Sequence, residues 1–388
     1  MDNHATTPLD ARVLDAMMPY FTENFGNPAS SDHSYGAKAA EAVEYAREQV
    51  ANLVNCSPNE IVFTSGATEA DNLAIKGIAE AFRSKGRHII TCSTEHKAVL
   101  DTCEYLEKLG WSVTNLPVDE YGTIDVAKLE SSIRSDTVLI SVMFANNEIG
   151  TIEPVEQIGR IAKDHGVLFH SDAAQAVGHI PVDVKSLEID MLSISGHKVN
   201  GPKGIGALFI RSHVPRIKPI PQMTGGGQEK GFRSGTLNVP GIVGLGKALE
   251  LARNEMAEEA ERLASWTERM RQVFHSDLGA ALNGHPTKRL PHNLNMSFRG
   301  IESKALIQLV SSQLAISASS ACTTAEVEPS HVLLALGYDL QRAHSSVRIG
   351  LGRFTTQGEV DYAIGTIVSA VRRLQKLNLH EVSMSRSA

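Results

Sequence analysis

The chain has 388 residues, 42% of them hydrophobic and 21% charged, with a formal net charge of -7. That length exceeds what one hydrophobic core usually organises, so two domains are expected, and the acidic balance argues against a dedicated nucleic-acid binder. No apolar run reaches the length of a membrane span, the start MDNHATTPLD lacks the regions of a signal peptide, and four cysteines without C-x-x-C spacing make no disulfide framework, so a cytoplasmic protein is expected.

From about Asn59 to Ile210, short apolar runs alternate with helical patterns. Glu60–Thr64 (EIVFT) reads as a buried strand, and SGATE leads into a helix over EADNLAIKGIAEAF. Arg87–Cys92 (RHIITC) reads as a second strand, with a helix after EHKAVL. Then come a strand at Thr137–Phe144, the helix of PVEQIGRIAKDHG, and strands at Val167–Ser171, Asp190–Ile194 and Ala207–Ile210. This alternation predicts an α/β fold with a mostly parallel sheet covered on both faces, whose ligands bind beyond the C-terminal strand ends. Downstream, a charged helix over about Val239–Leu278 precedes a strand at Asn293–Phe298 and a helix at Ser303–Gln313. A small-residue loop at Ser317–Thr324 and a last helix at Gly358–Leu377 complete the pattern. We expect a large domain over residues 9–256 and a smaller α+β domain built from 1–8 and 257–388, carrying a loop at about 317–328.

The stretch SISGHKVNGPKGIGALFI (193–210) has the glycine spacing that opens a nucleotide-binding G-x-x-x-x-G-K-[ST] loop. Pro202 stands where that loop has its lysine, and no hydroxyl residue follows Lys203, so the nucleotide reading fails. What remains is Lys198 on a turn, flanked by hydrogen-bonding residues. Gly66-Ala67-Thr68 lies between a strand and a helix, where free N–H groups and the helix dipole attract an anion. Ser195 and His197 can serve the same anion from a neighbouring turn, and TGGGQEKGFRSGT (224–236) is a third glycine-rich candidate. Each alone is also an ordinary turn; together, at successive strand ends, they suggest one phosphate cup.

Asp172 follows a strand and can hold a ring N–H⁺, and Gln175 is placed to reach a ring oxygen. His96 follows another strand and can stack on a flat ring or shuttle protons. Lys198 can condense with a carbonyl if burial lowers its pKa. A surface histidine and a helix N-cap are the plain alternatives for His96 and Asp172. A phosphate cup, an aspartate, a stacking histidine and a reactive lysine together fit pyridoxal 5'-phosphate, whose pyridinium needs an acidic partner. Cys56, Cys92 and Cys103 have no motif around them and read as small buried residues. His170 and Asp172 form an H-x-D, but no further ligands follow at a recognised spacing, so no metal is expected.

The segments DNHATTP (2–8), FTSGATEADNLAIKG (63–77), TEHKAVL (94–100), NNEIGTIEP (146–154), DAAQAVG (172–178), SISGHKVNGPKGIG (193–206), RSGT (233–236), SACTTAEVEPSHVL (320–333) and SVRIGLGRFTT (346–356) resemble those of the NifS/IscS-type cysteine desulfurases. These are pyridoxal-phosphate enzymes of aminotransferase class V, with the fold type I architecture. The resemblance implies that Lys198 binds the cofactor covalently, Asp172 pairs with the pyridine nitrogen, Gln175 with the ring oxygen, and His96 stacks on the ring. It places Ala67, Thr68, Ser195 and His197 on the phosphate, and Thr236 on the phosphate of a partner subunit in a homodimer. Asn147 and Arg348 would hold the carboxylate of L-cysteine, with Asn147 also beside the cofactor. Cys322 would take the substrate sulfur as a persulfide, releasing L-alanine, and pass it to an acceptor protein for iron–sulfur cluster assembly, tRNA thiolation or DNA phosphorothioation.

Against the family pattern, Met1 stands directly before Asp2, Ser319 occupies a position where glycine is usual, and the chain ends in LNLHEVSMSRSA without the longer IscS-type C-terminal segment. Another class V aminotransferase, a selenocysteine lyase and a non-catalytic scaffold subunit are the alternatives. The SACTTA segment speaks against the first. The intact set of Lys198, Asp172, His96, Arg348 and Cys322 speaks against the last.

Overall fold

A computed structural model describes residues 1–212, 217–318 and 329–385, with side chains described as far as Leu377 at the C-terminal end. Seven strands form the larger sheet: β1 (Ile61–Thr64), β2 (His88–Cys92), β3 (Ser112–Leu116), β4 (Thr137–Ser141), β5 (Leu168–Asp172), β6 (Met191–Ser195) and β7 (Gly206–Ile210). Their spatial order is β1-β7-β6-β5-β4-β2-β3. The stretch from β3 to β6 is parallel, whereas β7 runs antiparallel to both its neighbours. The short connection Gly196–Ile205 explains the reversal, because a parallel return needs a crossover of about a dozen residues or more. β3 was not foreseen from the sequence. It is an edge strand whose SVTNL stays largely half-exposed, so it carries no continuous apolar run.

Successive residues of each strand feed opposite faces of the sheet. Phe63, Ile90, Ile140 and Phe169 join one core with the helices Ser34–Val54 and Val155–His165 and the start of Val239–Leu278. Val62, Ile89 and Leu139 join another beneath the helices Ala67–Ala81 and Lys97–Lys108. One close approach fixes the first of these last two helices. A Cβ on Gly206 would lie 2.6 Å from the Cα of Gly66, so only glycine lets β7 pass under the helix start.

A buried ion pair locks β1 in place. Arg47 donates from both terminal nitrogens to Glu229, each at 2.8 Å, and Glu229 also accepts from the Phe63 N–H at 2.7 Å. Arg47→Ala strands that carboxylate inside the protein, an error that costs about 3–5 kcal/mol. A urea titration reads the loss; a midpoint equal to that of the unaltered chain would contradict the assignment.

The smaller sheet is antiparallel, in the order β10 (Ser317–Ala318), β11 (Ser346–Gly350), β9 (Asn293–Ser297), β8 (Ala281–Leu282). Its core joins Phe274, Phe298, Val347 and Ile349 to the final helix Gln357–Ser385 through Ile367. The long helix Val239–Leu278 serves both cores, the first through residues up to Ala252 and the second from Leu263 onward. The N-terminal segment also joins the two parts. Asp2 bridges to Gly350 beside β11, while the Thr7 N–H reaches the His197 carbonyl at 2.9 Å and Asn200 Nδ2 the Pro8 carbonyl at 2.9 Å. Among the described residues, no helix is long and apolar enough to cross a membrane.

Candidate active site

A cleft of about 710 Å³ opens at the C-terminal ends of the parallel strands. Ten of the candidate site residues line it: Ala67, Thr68, His96, Asn147, Asp172, Gln175, Ser195, His197, Lys198 and Arg348.

One end is built for an anion. The helix Ala67–Ala81 starts at Gly66 with no side-chain cap, so its first-turn N–H groups are available to a ligand. A Cβ on Gly66 would meet nothing within 4 Å, which marks open space at that N-terminus. The Thr68 hydroxyl, Ser195, His197 and Lys203 surround the same space. Burial, with Lys198 and Lys203 nearby, lowers His197 to about 4, so its ring is neutral at physiological pH. It is held by the Thr6 hydroxyl at 3.1 Å.

Asp172 ends β5 in the cleft wall, its Oδ1 accepting the Ala174 N–H at 2.9 Å. Burial raises its carboxyl, while His96 and Lys198 pull the other way. Behind it lies Asp71, on the helix Ala67–Ala81, raised well above the usual range by full burial and by Asp172 itself. His170 Nε2 is 3.6 Å from Asp71, and the same ring meets the Ser141 and Ser193 hydroxyls at 2.9 and 3.0 Å. Burial lowers His170 to about 3. A protonated Asp71 beside a neutral His170 leaves Asp172 as the carboxylate of this pair that carries the negative charge.

Lys198 closes the 3₁₀ turn Gly196–Lys198 directly after β6. Its Nζ donates to the carbonyls of His4 at 2.5 Å and Ala5 at 3.0 Å. Burial and then Arg348 lower it to about 8, against the opposing pull of Asp172. A useful fraction of free amine therefore exists near neutral pH, the condition for attack on a carbonyl. His96 caps the helix Lys97–Lys108, accepting the Ala98 N–H at 3.1 Å, a role the sequence reading did not give it, and its exposed ring lines the cleft.

Arg348 enters from the small sheet, on β11. Its Nη1 donates to the Asn147 carbonyl at 3.0 Å and its Nη2 meets Asp2 at 3.1 Å, while the buried Nε makes no hydrogen bond. Asn147 thus holds the guanidinium by its backbone. Thr236 is exposed and does not line this cleft. Its loop is pinned to the anion end by Arg233, which pairs with Glu69 at 2.9 Å.

Cys322 lies outside the described residues, as does Ser319. Described residues on either side of that stretch have fixed partners. Ser317 pairs with Arg348 across β10 and β11 and donates to Asp2 at 2.6 Å. Ser330 donates to Glu148 at 2.5 Å, and His331 to the Glu95 carbonyl at 3.0 Å. The other three thiols are pushed up by burial, Cys56 and Cys103 to about 12 and Cys92 well above its usual range. None of the three lines the cleft. Among the described residues, no group of three or more His, Cys, Asp or Glu is placed to hold a metal ion.

The sequence reading missed the wall made by His4, Ala5 and Thr6. DNHATTP carries neither helical nor strand periodicity, and its contribution to Lys198 is made by backbone carbonyls, which leave no trace in residue type.

The profile of the class-V aminotransferases matches residues 1–363. The chain is 54% identical over 379 residues to "Cysteine desulfurase IscS" of Anaeromyxobacter sp. (strain Fw109-5), covering 97% of this chain and 93% of that one. A solved structure titled "NIFS-LIKE PROTEIN" superposes with a TM-score of 0.89 at 41% identity, covering 96% and 98% of the two chains. Another, "SspA in complex with cysteine", gives 0.81 at 40%, covering 92% and 99%. With this fold, this cleft and these likenesses, the chain belongs to the class-V aminotransferase family and, within it, to the NifS/IscS-type cysteine desulfurases.

Proposed function

We propose that the protein converts L-cysteine to L-alanine with pyridoxal 5'-phosphate in this cleft, leaving a persulfide on Cys322. One observation carries the reading: a lysine lowered to about 8 shares one cleft with an uncapped helix N-terminus and a buried aspartate. The residues present fit the cofactor. Gly66–Thr68, Ser195 and His197 would hold its phosphate, Asp172 its ring nitrogen, Gln175 its ring oxygen, and His96 would cover its face. When bound, pyridoxal phosphate supplies an electron sink for charge developing at the substrate Cα.

The rest falls to the chain's own groups. Arg348, with its unpartnered Nε and backed by Asn147, receives the substrate carboxylate. The Lys198 amine takes the Cα proton. His96 moves a proton at the substrate thiol. The Cys322 thiolate attacks the substrate sulfur, an S–S bond forms, the Cβ–S bond breaks, Cβ gains a proton, and Lys198 returns a proton to Cα to give alanine. Reach supports this assignment: Cys322 is five positions beyond Ser317, so a tether of at most ~18 Å leads from the Arg348 wall.

The outward-facing Thr236, anchored through Arg233 to the anion end, fits a role at the phosphate of a second copy in a homodimer. The reading keeps the division into residues 9–256 and 1–8 with 257–388; the handover between cores along Val239–Leu278 supports it. A cytoplasmic location and a sulfur-accepting protein partner belong to the same proposal.

The test is turnover of L-cysteine in the presence of a thiol reductant. Alanine and sulfide should form in equal amounts with the unaltered protein, and sulfide release should fall to background in Cys322→Ala. Sulfide release that survives the substitution would move the sulfur chemistry elsewhere.

A further inference from the structure

Three imidazoles are stacked against the back of the cleft. The rings of His4 and His292 lie 4.4 Å apart at 22°, and those of His292 and His179 lie 4.1 Å apart at 28°. All three side chains are buried. Two of their nitrogens, His4 Nε2 and His292 Nδ1, make no hydrogen bond. Unpaired buried nitrogens are uncommon and call for a reason. The bonds that the rings do make lead to the cofactor pocket. His179 Nε2 donates to the Lys198 carbonyl at 2.8 Å, and His4 Nδ1 lies 2.9 Å from Gln175 Oε1.

The His4 contact can be read in only one sense. Gln175 Nε2 donates to the His4 carbonyl at 3.2 Å, which fixes the amide nitrogen on that side. The oxygen facing the ring is therefore an acceptor, and the proton sits on His4 Nδ1. Both atoms of the amide are thereby oriented by one residue, and one N–H remains for a ligand in the cleft that Gln175 lines. The His4 carbonyl also holds Lys198 Nζ, so side chain and backbone together set the two neighbouring groups.

We infer that His4 is a positioning residue that turns the Gln175 amide so that its N–H, not its oxygen, meets the ring oxygen of the bound cofactor, with the His292–His179 stack holding the imidazole in place. This rests on the cofactor reading given above. An N–H donated to the ring oxygen draws off negative charge that would otherwise hold a proton on the adjacent nitrogen of the lysine linkage. Losing it makes that proton harder to remove.

The test is a pH titration of the cofactor's visible absorbance. His4→Phe keeps an aromatic ring in the stack and deletes the donor. His4→Asn keeps an N–H near the position of Nδ1 and gives up the stack. The midpoint should rise by roughly one pH unit in His4→Phe, the size of one hydrogen bond to a charged oxygen. It should stay near the unaltered value in His4→Asn. Gln175→Leu should give the same rise, and the His4→Phe/Gln175→Leu pair should rise no further than either alone. If phenylalanine is not accommodated, His4→Leu deletes the donor and is read in the same way. An unchanged midpoint in the donor-less variants, fully additive shifts, or an equal shift in His4→Asn would overturn the inference. An unaltered protein that acquires no visible band would overturn the cofactor reading itself.

Discussion

Replacing Lys198 by alanine lowers L-cysteine turnover by at least about 10³–10⁴-fold, because one substitution removes both the covalent anchor of the cofactor and the base at Cα. Lys198→Arg does not restore it. A guanidinium stays protonated, whereas the amine here is already lowered to about 8 by burial and by Arg348. The same lowering sets a pH dependence. In cofactor-free protein the reactive amine is the deprotonated form, so the rate of covalent cofactor capture should rise about tenfold per pH unit well below 8 and level off above it. Stopped-flow absorbance on the apoprotein measures this. A capture rate still climbing steeply at pH 10 would mean that Lys198 is an ordinary solvated lysine. The anion end is separate from Lys198, so the alanine variant should still bind pyridoxal phosphate without a covalent bond.

Asp172→Asn should cost about 10²–10³-fold in turnover, the range found when one fixed electrostatic partner of a developing charge is removed. Asparagine keeps the shape and an acceptor for the Ala174 N–H. It removes the negative charge opposite the ring nitrogen. Stability should move the other way. Burial raises the Asp172 carboxyl, so its charge inside the protein opposes folding, and a neutral amide in its place removes that cost. The apoprotein variant should therefore melt at or above the temperature of the unaltered chain while its activity collapses. Turnover within tenfold of normal, or a marked fall in melting temperature, would contradict this picture of the site.

The parts of this site that were legible in the sequence share one property: they sit where a parallel sheet must put them. Thr68, His96, Asp172 and Ser195–Lys198 each follow an apolar run, and the C-terminal ends of neighbouring strands converge. Arg348 is different. Its strand, β11, belongs to the other sheet, outside the alternating pattern, so the residue was named through family resemblance and not through periodicity. Asp71 and His170 were harder still. They are buried polar groups inside apolar patterns, and only the packing of the helix Ala67–Ala81 on β4, β5 and β6 reveals that they stand behind Asp172. The reversal of β7 was hidden for a related reason: strand direction depends on connection length, which apolar runs do not report.

Borohydride reduction of the cofactor-loaded protein, followed by peptide mass mapping, tests the central claim most directly. The account expects a phosphopyridoxyl adduct on the peptide containing Lys198 and none on that peptide in Lys198→Ala. An adduct on Lys203 or any other lysine in the unaltered chain, or no adduct at all, would contradict it.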